Sequence, residues 1–284
     1  MIRVKYALLL FTLMFQGVTF LACQKSRVSQ SQADSSAVCQ DTIGGKDSTM
    51  VDSTKFEAVP LKADVYFNDF IYSFTSNPHY QMERIAFPLV YEKNGKQTMI
   101  TRSQWRYNRL YTRDEYYTVF FDKESSLDLE KSQEVSEVTI EYLDMISEVV
   151  KNYYFSRLKG QWMLRKIWEE HIDDYYDRDF VLFFERFVSD SIYQAAHLVS
   201  NIEISMADPD DEFETLSGTI EAEQWFSFRP ELPQDRFYNV NYGQKVENKK
   251  HRMVALEGSS NGFLSLLFFR YHEEKGWLMY KLKS

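Results

Sequence analysis

Phe67-Asn-Asp-Phe70-Ile71-Tyr-Ser-Phe74 and Phe180-Val-Leu-Phe183-Phe184-Glu-Arg-Phe187 are the two stretches that decide the fold. Each is apolar at i, i+3, i+4 and i+7, the stripe of an amphipathic helix with one buried face. Asp64 and Asp177 stand three residues ahead of the first Phe in each, where a carboxylate can cap free backbone amides. Beyond the helices, Tyr80-Gln81 falls in the register of Tyr193-Gln194, and Arg84-Ile85 falls opposite His197-Leu198.

The correspondence runs on. Gln104-Trp105 matches Gln224-Trp225, Tyr117-Thr-Val119 matches Tyr238-Asn-Val240, and Trp162-Met-Leu matches Trp277-Leu-Met. Five matches in the same order, about 113 to 121 residues apart, make the chain a duplication. Each copy predicts two helices (64–75 and 78–86; 178–188 and 191–199), then a strand and a Gln-Trp turn. The rest is strand-rich, as in Val138–Leu143, Asn152–Leu158 and Gln161–Trp168, or Met253–Leu256, Phe263–Tyr271 and Gly276–Lys281. Lys159-Gly160 and Glu274-Lys275-Gly276 are polar, Gly-containing links, so the last two strands of each copy should form antiparallel hairpins. Helices followed by antiparallel strands give an α+β fold, with helices covering one face of a curved sheet. The expected organisation is two tandem cone-like domains, 60–170 and 171–284.

That order and aromatic placement resemble the cystatin-like cone of the nuclear transport factor 2-like superfamily. The whole chain is also similar to a family of lipoproteins of Gram-negative gut bacteria built on this fold, which carries no assigned function. The resemblance covers roughly residues 60–284 and includes no diagnostic catalytic motif. Cones of this superfamily bind small molecules, or act catalytically where they carry an Asp/His or Asp/Tyr arrangement. The resemblance therefore implies lining residues Tyr80, Gln81, Arg84, Trp105, Tyr117 and Trp162 in the first copy. In the second it implies Tyr193, Gln194, His197, Trp225, Tyr238 and Trp277. The competing reading is that these aromatics are core, since burying each contributes about 1.5–3 kcal/mol without any ligand. The paired glutamines stand out, because a buried amide must find partners. A catalytic residue kept in both copies is not seen, because His197 stands where the first copy has Arg84.

Residues 1–22 read as an export signal. Arg3 and Lys5 precede the uncharged apolar run Ala7–Phe15, too short to span a bilayer stably. Phe20-Leu21-Ala22-Cys23 resembles the lipobox of bacterial lipoproteins, with Phe where that family favours Leu. The resemblance implies cleavage before Cys23 and fatty acylation of it, including palmitate; the alternative is a plain secretory signal. Residues 23–59 are Ser-rich with Phe56 the one aromatic, a composition that predicts a disordered tether reaching about 30 Å. The expected location is the cell envelope, lipid-anchored to a membrane, with the body facing the periplasm from the outer membrane. If Cys23 carries lipid, Cys39 is the one remaining thiol and no internal disulfide forms.

Composition narrows the function. The 284 residues carry 42 acidic and 33 basic side chains, net −9, and loss of residues 1–22 takes out two bases and no acid. Phosphate backbones would be repelled, so nucleic acid is excluded as a partner. The chain has neither G-x-G-x-x-G nor a P-loop, and no H-E-x-x-H or C-x-x-C, so no cofactor or metal is expected. The acidic runs at His171–Asp179 and Asp208–Glu212 lack calcium-loop spacing and read as solvated loops. Gly258-Ser-Ser260-Asn-Gly262 fits G-x-S-x-G, but a strand-like stretch follows where a nucleophile elbow needs a helix. Ser156-Arg-Leu-Lys159 fits S-x-x-K on a strand rather than at a helix start. Both read as turns. The sequence thus favours a non-enzymatic envelope lipoprotein that binds a small ligand or a partner protein, over a hydrolase or isomerase working in one cone.

Overall fold

The computed structural model describes residues 64–284, apart from 209, 210, 212, 213 and 260. The export signal, Cys23, Cys39 and the tether lie outside the described residues. Among those described, no helix is long and apolar enough to cross a membrane.

The first half supplies helices α1 (Phe67–Ser76) and α2 (Pro78–Glu83). Strands β1 (Ile85–Lys93), β2 (Lys96–Ile100), β3 (Tyr116–Phe121), β4 (Glu137–Asp144), β5 (Val149–Leu158) and β6 (Gln161–His171) follow. The second half repeats the order with α3 (Arg178–Ser189), α4 (Ser191–Ala196), β7 (Leu198–Ala207), β8 (Thr215–Glu221), a short α5 (Trp225–Phe228), β9 (Arg236–Asn241), β10 (His251–Gly258), β11 (Leu264–His272) and β12 (Gly276–Lys283).

The apolar stripes bury as the spacing dictates. Phe67, Phe70, Ile71 and Phe74 go under in α1, and Phe180, Phe183, Phe184 and Phe187 in α3. Phe67 meets the edge of Trp162 at 5.1 Å and 76°, and Phe180 meets Trp277 at 5.1 Å and 73°. Such edge contacts add to the area term of each aromatic. Asn77 caps α2 by accepting from the amides of His79 and Tyr80; Asp190 does the same for Ile192 and Tyr193 in α4. Before Trp105 and Trp225, Gln104 and Gln224 accept the amides of Thr101 and Glu221, both at 2.9 Å. The expected hairpins form, with Lys159 and Gly160 at positive φ in the two-residue turn between Leu158 and Gln161.

Two expectations are corrected. Neither Asp64 nor Asp177 caps its helix: Tyr66 sits at the start of α1, and Asp177 makes no side-chain cap bond. Each aspartate instead holds a buried arginine. Asp64 takes both Arg84 Nη1 and Nη2 at 2.9 Å, and Asp177 takes Arg252 Nε at 2.8 Å and Nη2 at 2.7 Å. A buried guanidinium offers more, and more strongly, than a helix amide, so the carboxylates turn to it.

The second correction concerns the sheet. The strands form one mixed 12-stranded sheet, β2-β1-β6-β5-β4-β9-β3-β10-β11-β12-β7-β8, and not two separate antiparallel ones, since β1 runs parallel to β6, β7 to β12 and β3 to β9. β3 pairs antiparallel with β10 of the other half, while β9 pairs antiparallel with β4. Each half thus hands its third strand to the other. The two cores are mixed accordingly: Val240, Met253 and Phe268 pack with Phe67 and Trp162, while Phe120, Leu143 and Val150 pack with Phe180 and Trp277.

Candidate functional site

Most of the side chains that the resemblance marks as lining residues hold the fold together. Gln81 is fully buried where α2 follows α1. Its Nε2 donates to the carbonyls of Phe74 (3.0 Å) and Asn108 (2.7 Å), and its Oε1 accepts from Trp105 Nε1 and the Asn108 amide, both at 3.0 Å. Gln194 repeats the first contact, donating to the Phe187 carbonyl at 2.8 Å, and accepts from Arg229 Nη1 at 2.7 Å. Arg84 is held by Asp64 and lies 4.8 Å from the Tyr80 ring. His197 stacks on Tyr193 at 3.8 Å and contacts the Tyr193 carbonyl through Nδ1. Arg84 and His197 are structural equivalents, since their carbonyls accept the Leu164 and Met279 amides, both at 2.9 Å. Trp162 and Trp225 are fully buried, and Tyr238 packs 4.9 Å from Tyr142. Of the twelve, Trp277 lines the cavity that opens before α3.

That cavity is a cleft of about 900 Å³ where the second half begins. Tyr175, Tyr176 and the first turn of α3 form one wall, and Asn241 and the loop Gln244–Lys250 form another. Arg252, Tyr271 and Trp277 close the end. Its volume falls in the range of small-molecule sites. Tyr271 meets the edge of Trp277 at 5.4 Å, and the Arg252 guanidinium lies 5.3 Å from the same indole, so the floor is aromatic with a cation at its back. A second, shallower hollow of about 410 Å³ lies between Arg113–Tyr116 and Glu231–Phe237.

Behind the cleft sits an acid that sequence reasoning missed. Glu141 on β4 faces Tyr175 because β4 alternates, with Val138 and Ile140 turned to the first core and Glu141 and Leu143 to the second. Its carboxylate accepts from the Tyr175 hydroxyl, from Asn239 Nδ2 at 2.7 Å and from Asn241 Nδ2 at 3.2 Å. Loss of water pushes its pKa up to about 7 although these three donors pull the other way. An acid inside an otherwise apolar strand, Val138-Thr-Ile140-Glu141-Tyr-Leu143, was the readable signal.

A second buried acid lies in the other core. Glu257 accepts from the Tyr117 hydroxyl at 2.7 Å, directly across the β10–β3 ladder. Burial first, and the neighbouring Glu130 carboxylate second, push it up to about 8. Neither acid is near His197 or Arg84. Around Glu257 the Tyr111 and Tyr117 rings close to 4.4 Å, so this carboxyl is packed in and does not line an open cavity.

The dismissed motifs sit as read. Gly258 ends β10 and β11 follows it antiparallel, a strand where an elbow needs a helix; Ser260 lies outside the described residues. Among the described residues no three His, Cys, Asp or Glu side chains gather as a metal site. Asp173 and Asp179 both hold Arg178, at 2.8 and 3.0 Å.

The family profile described as a domain of unknown function, DUF4348, matches residues 46–284. Among solved structures, an NTF2-like protein from Bacteroides fragilis NCTC 9343 aligns with a TM-score of 0.73 at 38% identity. The alignment covers 79% of this chain and 98% of that one. No curated protein matches. The likeness fits the curved α+β architecture described above.

Proposed function

The chain belongs to the family described as DUF4348, and from that premise we propose that it is a non-enzymatic lipoprotein of the cell envelope that binds a small ligand in the cleft before α3. The cleft carries the reading: about 900 Å³, floored by Tyr271 and Trp277 with Arg252 against the indole. The NTF2-like description of the Bacteroides fragilis protein supports a cone with a usable concavity. In this reading residues 60–170 and 171–284 are two tandem cones that have exchanged their third strands. Of their twelve expected lining residues, Trp277 alone lines this cleft and the other eleven hold the frame around the two cores.

Location follows from the N-terminal reading. Cys23 carries the lipid, residues 23–59 form the tether, and the body faces the periplasm from the outer membrane. Cys23→Ser should abolish incorporation of labelled palmitate and release the chain from membranes; a chain that stays membrane-bound without label overturns the anchor.

Glu141 favours a second reading, a hydrolase or isomerase, because a carboxyl with a pKa near 7 beside a cleft suits proton transfer. Against it, all three of Glu141's donors come from the fold itself, and Tyr175 and Asn241 stand between it and the cleft. Native mass spectrometry of the acylated chain, extracted in mild detergent, separates the readings. Binding predicts a retained mass that Tyr271→Ser weakens and Glu141→Gln leaves in place. A bare chain, with Tyr271→Ser blocking only capture of an envelope protein, would move the function to partner binding.

A further inference from the structure

The cleft before α3 has positive charge left over on an acidic chain. Each acid lining it already holds a guanidinium: Asp177 holds Arg252, and Asp173 and Asp179 share Arg178. The amide oxygens are occupied as well, Asn241 Oδ1 by the Gly243 amide at 2.8 Å and Gln244 Oε1 by the Tyr242 amide at 2.6 Å. Arg252 has one of its five N–H groups left, because Nη1 donates to the carbonyls of Asn248 and His251 while Nε and Nη2 donate to Asp177. Lys250 reaches Glu273 at 3.3 Å. Lys245 and Lys249, on the loop between β9 and β10, have no acid partner among the described residues. The lining therefore carries five cationic side chains against three carboxylates, and the two ammonium groups without an acid partner outnumber the one carboxylate left over where Asp173 and Asp179 share Arg178.

We propose that the cleft takes an organic anion: a carboxylate, phosphate or sulfonate between Lys245 and Lys249, with a flat apolar body laid against Tyr271 and Trp277. This inference rests on the small-ligand reading of the same cleft and names the ligand class. Ammonium–anion contacts bring affinity and strong dependence on ionic strength, while the aromatic floor is indifferent to charge. The two parts can be separated by paired probes.

The test is a fluorescence titration of the folded chain with 8-anilinonaphthalene-1-sulfonate and with N-phenyl-1-naphthylamine, which share an aromatic body and differ in the sulfonate. The expected result is that the sulfonate binds at least several-fold more tightly at low salt and loses that margin at high salt. Lys245→Gln/Lys249→Gln should weaken the sulfonate about tenfold and leave the neutral probe unchanged, with Lys245→Arg/Lys249→Arg restoring binding. Both lysines are exposed, so these variants do not threaten the fold. Tyr271→Ser should weaken both probes. If Tyr271→Ser weakens both but the lysine variants do not discriminate between them, the anion inference falls and the small-ligand cleft stands. If Tyr271→Ser changes neither, the cleft reading falls with it. Displacement of the sulfonate by pyrophosphate and not by phosphatidylglycerol vesicles assigns a free anion, and the reverse assigns a lipid headgroup. Failure of both competitors overturns the proposal.

Discussion

Thr118 and Asn239 are the single Cα-paired position at which β3 and β9 meet, and their side chains do the work that a ladder does elsewhere. Thr118 Oγ1 donates to the Tyr238 carbonyl at 2.9 Å, and Asn239 Oδ1 accepts the Phe120 amide at 3.0 Å. The same Asn239 donates through Nδ2 to Glu141. The two halves of the sheet are thus joined across a seam of buried side-chain bonds. Each half also contributes a strand to the other's ladder.

From the exchange follows one cooperative unit. Phe67→Ala should cost about 3–5 kcal/mol through the cavity it leaves among Phe70, Phe155 and Trp162. Hydrogen exchange measured by mass spectrometry should speed up in β11 and β12 as much as in β5 and β6. Full protection of β11 and β12 in the variant would show that the halves fold separately.

Asn239→Leu removes a partner from two buried groups, the Phe120 amide and the Glu141 carboxyl. The Phe120 amide left unpaired costs about 1–3 kcal/mol, and Glu141, which keeps Tyr175 and Asn241, loses one bond at about 1 kcal/mol, so the expected loss is about 2–4 kcal/mol. Urea denaturation followed by far-ultraviolet circular dichroism measures it. A loss under 1 kcal/mol would mean water replaces both bonds.

Glu141 fixes the sign of a pH effect. Its folded pKa of about 7 lies above the ordinary value of 4.5, because burial penalises the charged form. The folded state therefore binds the proton more tightly than the unfolded chain. The resulting stability is complete below about pH 4.5, falls as pH rises to about 7, and is absent above that. The whole drop is on the order of 3 kcal/mol. Glu141→Gln should flatten this part of the stability profile between pH 5 and 7. Glu257, pushed up to about 8, acts in the same direction and extends the decline by about one further pH unit. Denaturant midpoints at pH 5, 6, 7 and 8 for the parent and both Gln variants separate the two; identical profiles in all three proteins would refute both shifts.

The buried pair Asp177–Arg252 gives an asymmetric outcome. Arg252→Met strands a carboxylate whose pKa burial already pushes up, and should cost about 3–5 kcal/mol. The double variant Asp177→Leu/Arg252→Met removes both charges and should be more stable than the single one. Thermal melting of the three proteins decides it, and a double variant no more stable than the single would show that the stranded Asp177 carboxylate carries no cost.

How much of this was legible in the sequence depends on the kind of contact. Local periodicity carried the helices, because Phe67–Phe74 and Phe180–Phe187 have no other way to bury four aromatics or aliphatics on one face. The repeat carried the order of elements, the Gln-Trp turns and the hairpins. Strand partners at the seam were not readable: Tyr117-Thr-Val119 and Tyr238-Asn-Val240 are near copies, so either could lie beside β4 or β10 on pattern alone. The choice is made by tertiary contacts such as Asn239 with Glu141. Asp64 and Asp177 misled for the same reason, since their arginines are 20 and 75 residues away. The cleft escaped because repetition drew attention to equivalent positions, whereas Tyr176, Lys245 and Lys249 lie in links between the repeated elements.

Gln81 and Gln194 test whether the repeated amides read a ligand or hold the frame. Gln81 satisfies four groups: the Phe74 and Asn108 carbonyls, the Asn108 amide and Trp105 Nε1. Gln194 satisfies two, the Phe187 carbonyl and Arg229 Nη1, and Arg229 can turn to solvent. With each group left buried and unpaired costing about 1–3 kcal/mol, less what water recovers, Gln81→Leu should cost about 3 kcal/mol or more. Gln194→Leu should cost about 1–2 kcal/mol on the same scale. Urea midpoints at pH 7 give the order. Should Gln81→Leu unfold at the parent's midpoint while a bound mass disappears from the native spectrum, the amide would be a ligand contact, and the assignment of Gln81 to the frame would have to be reversed.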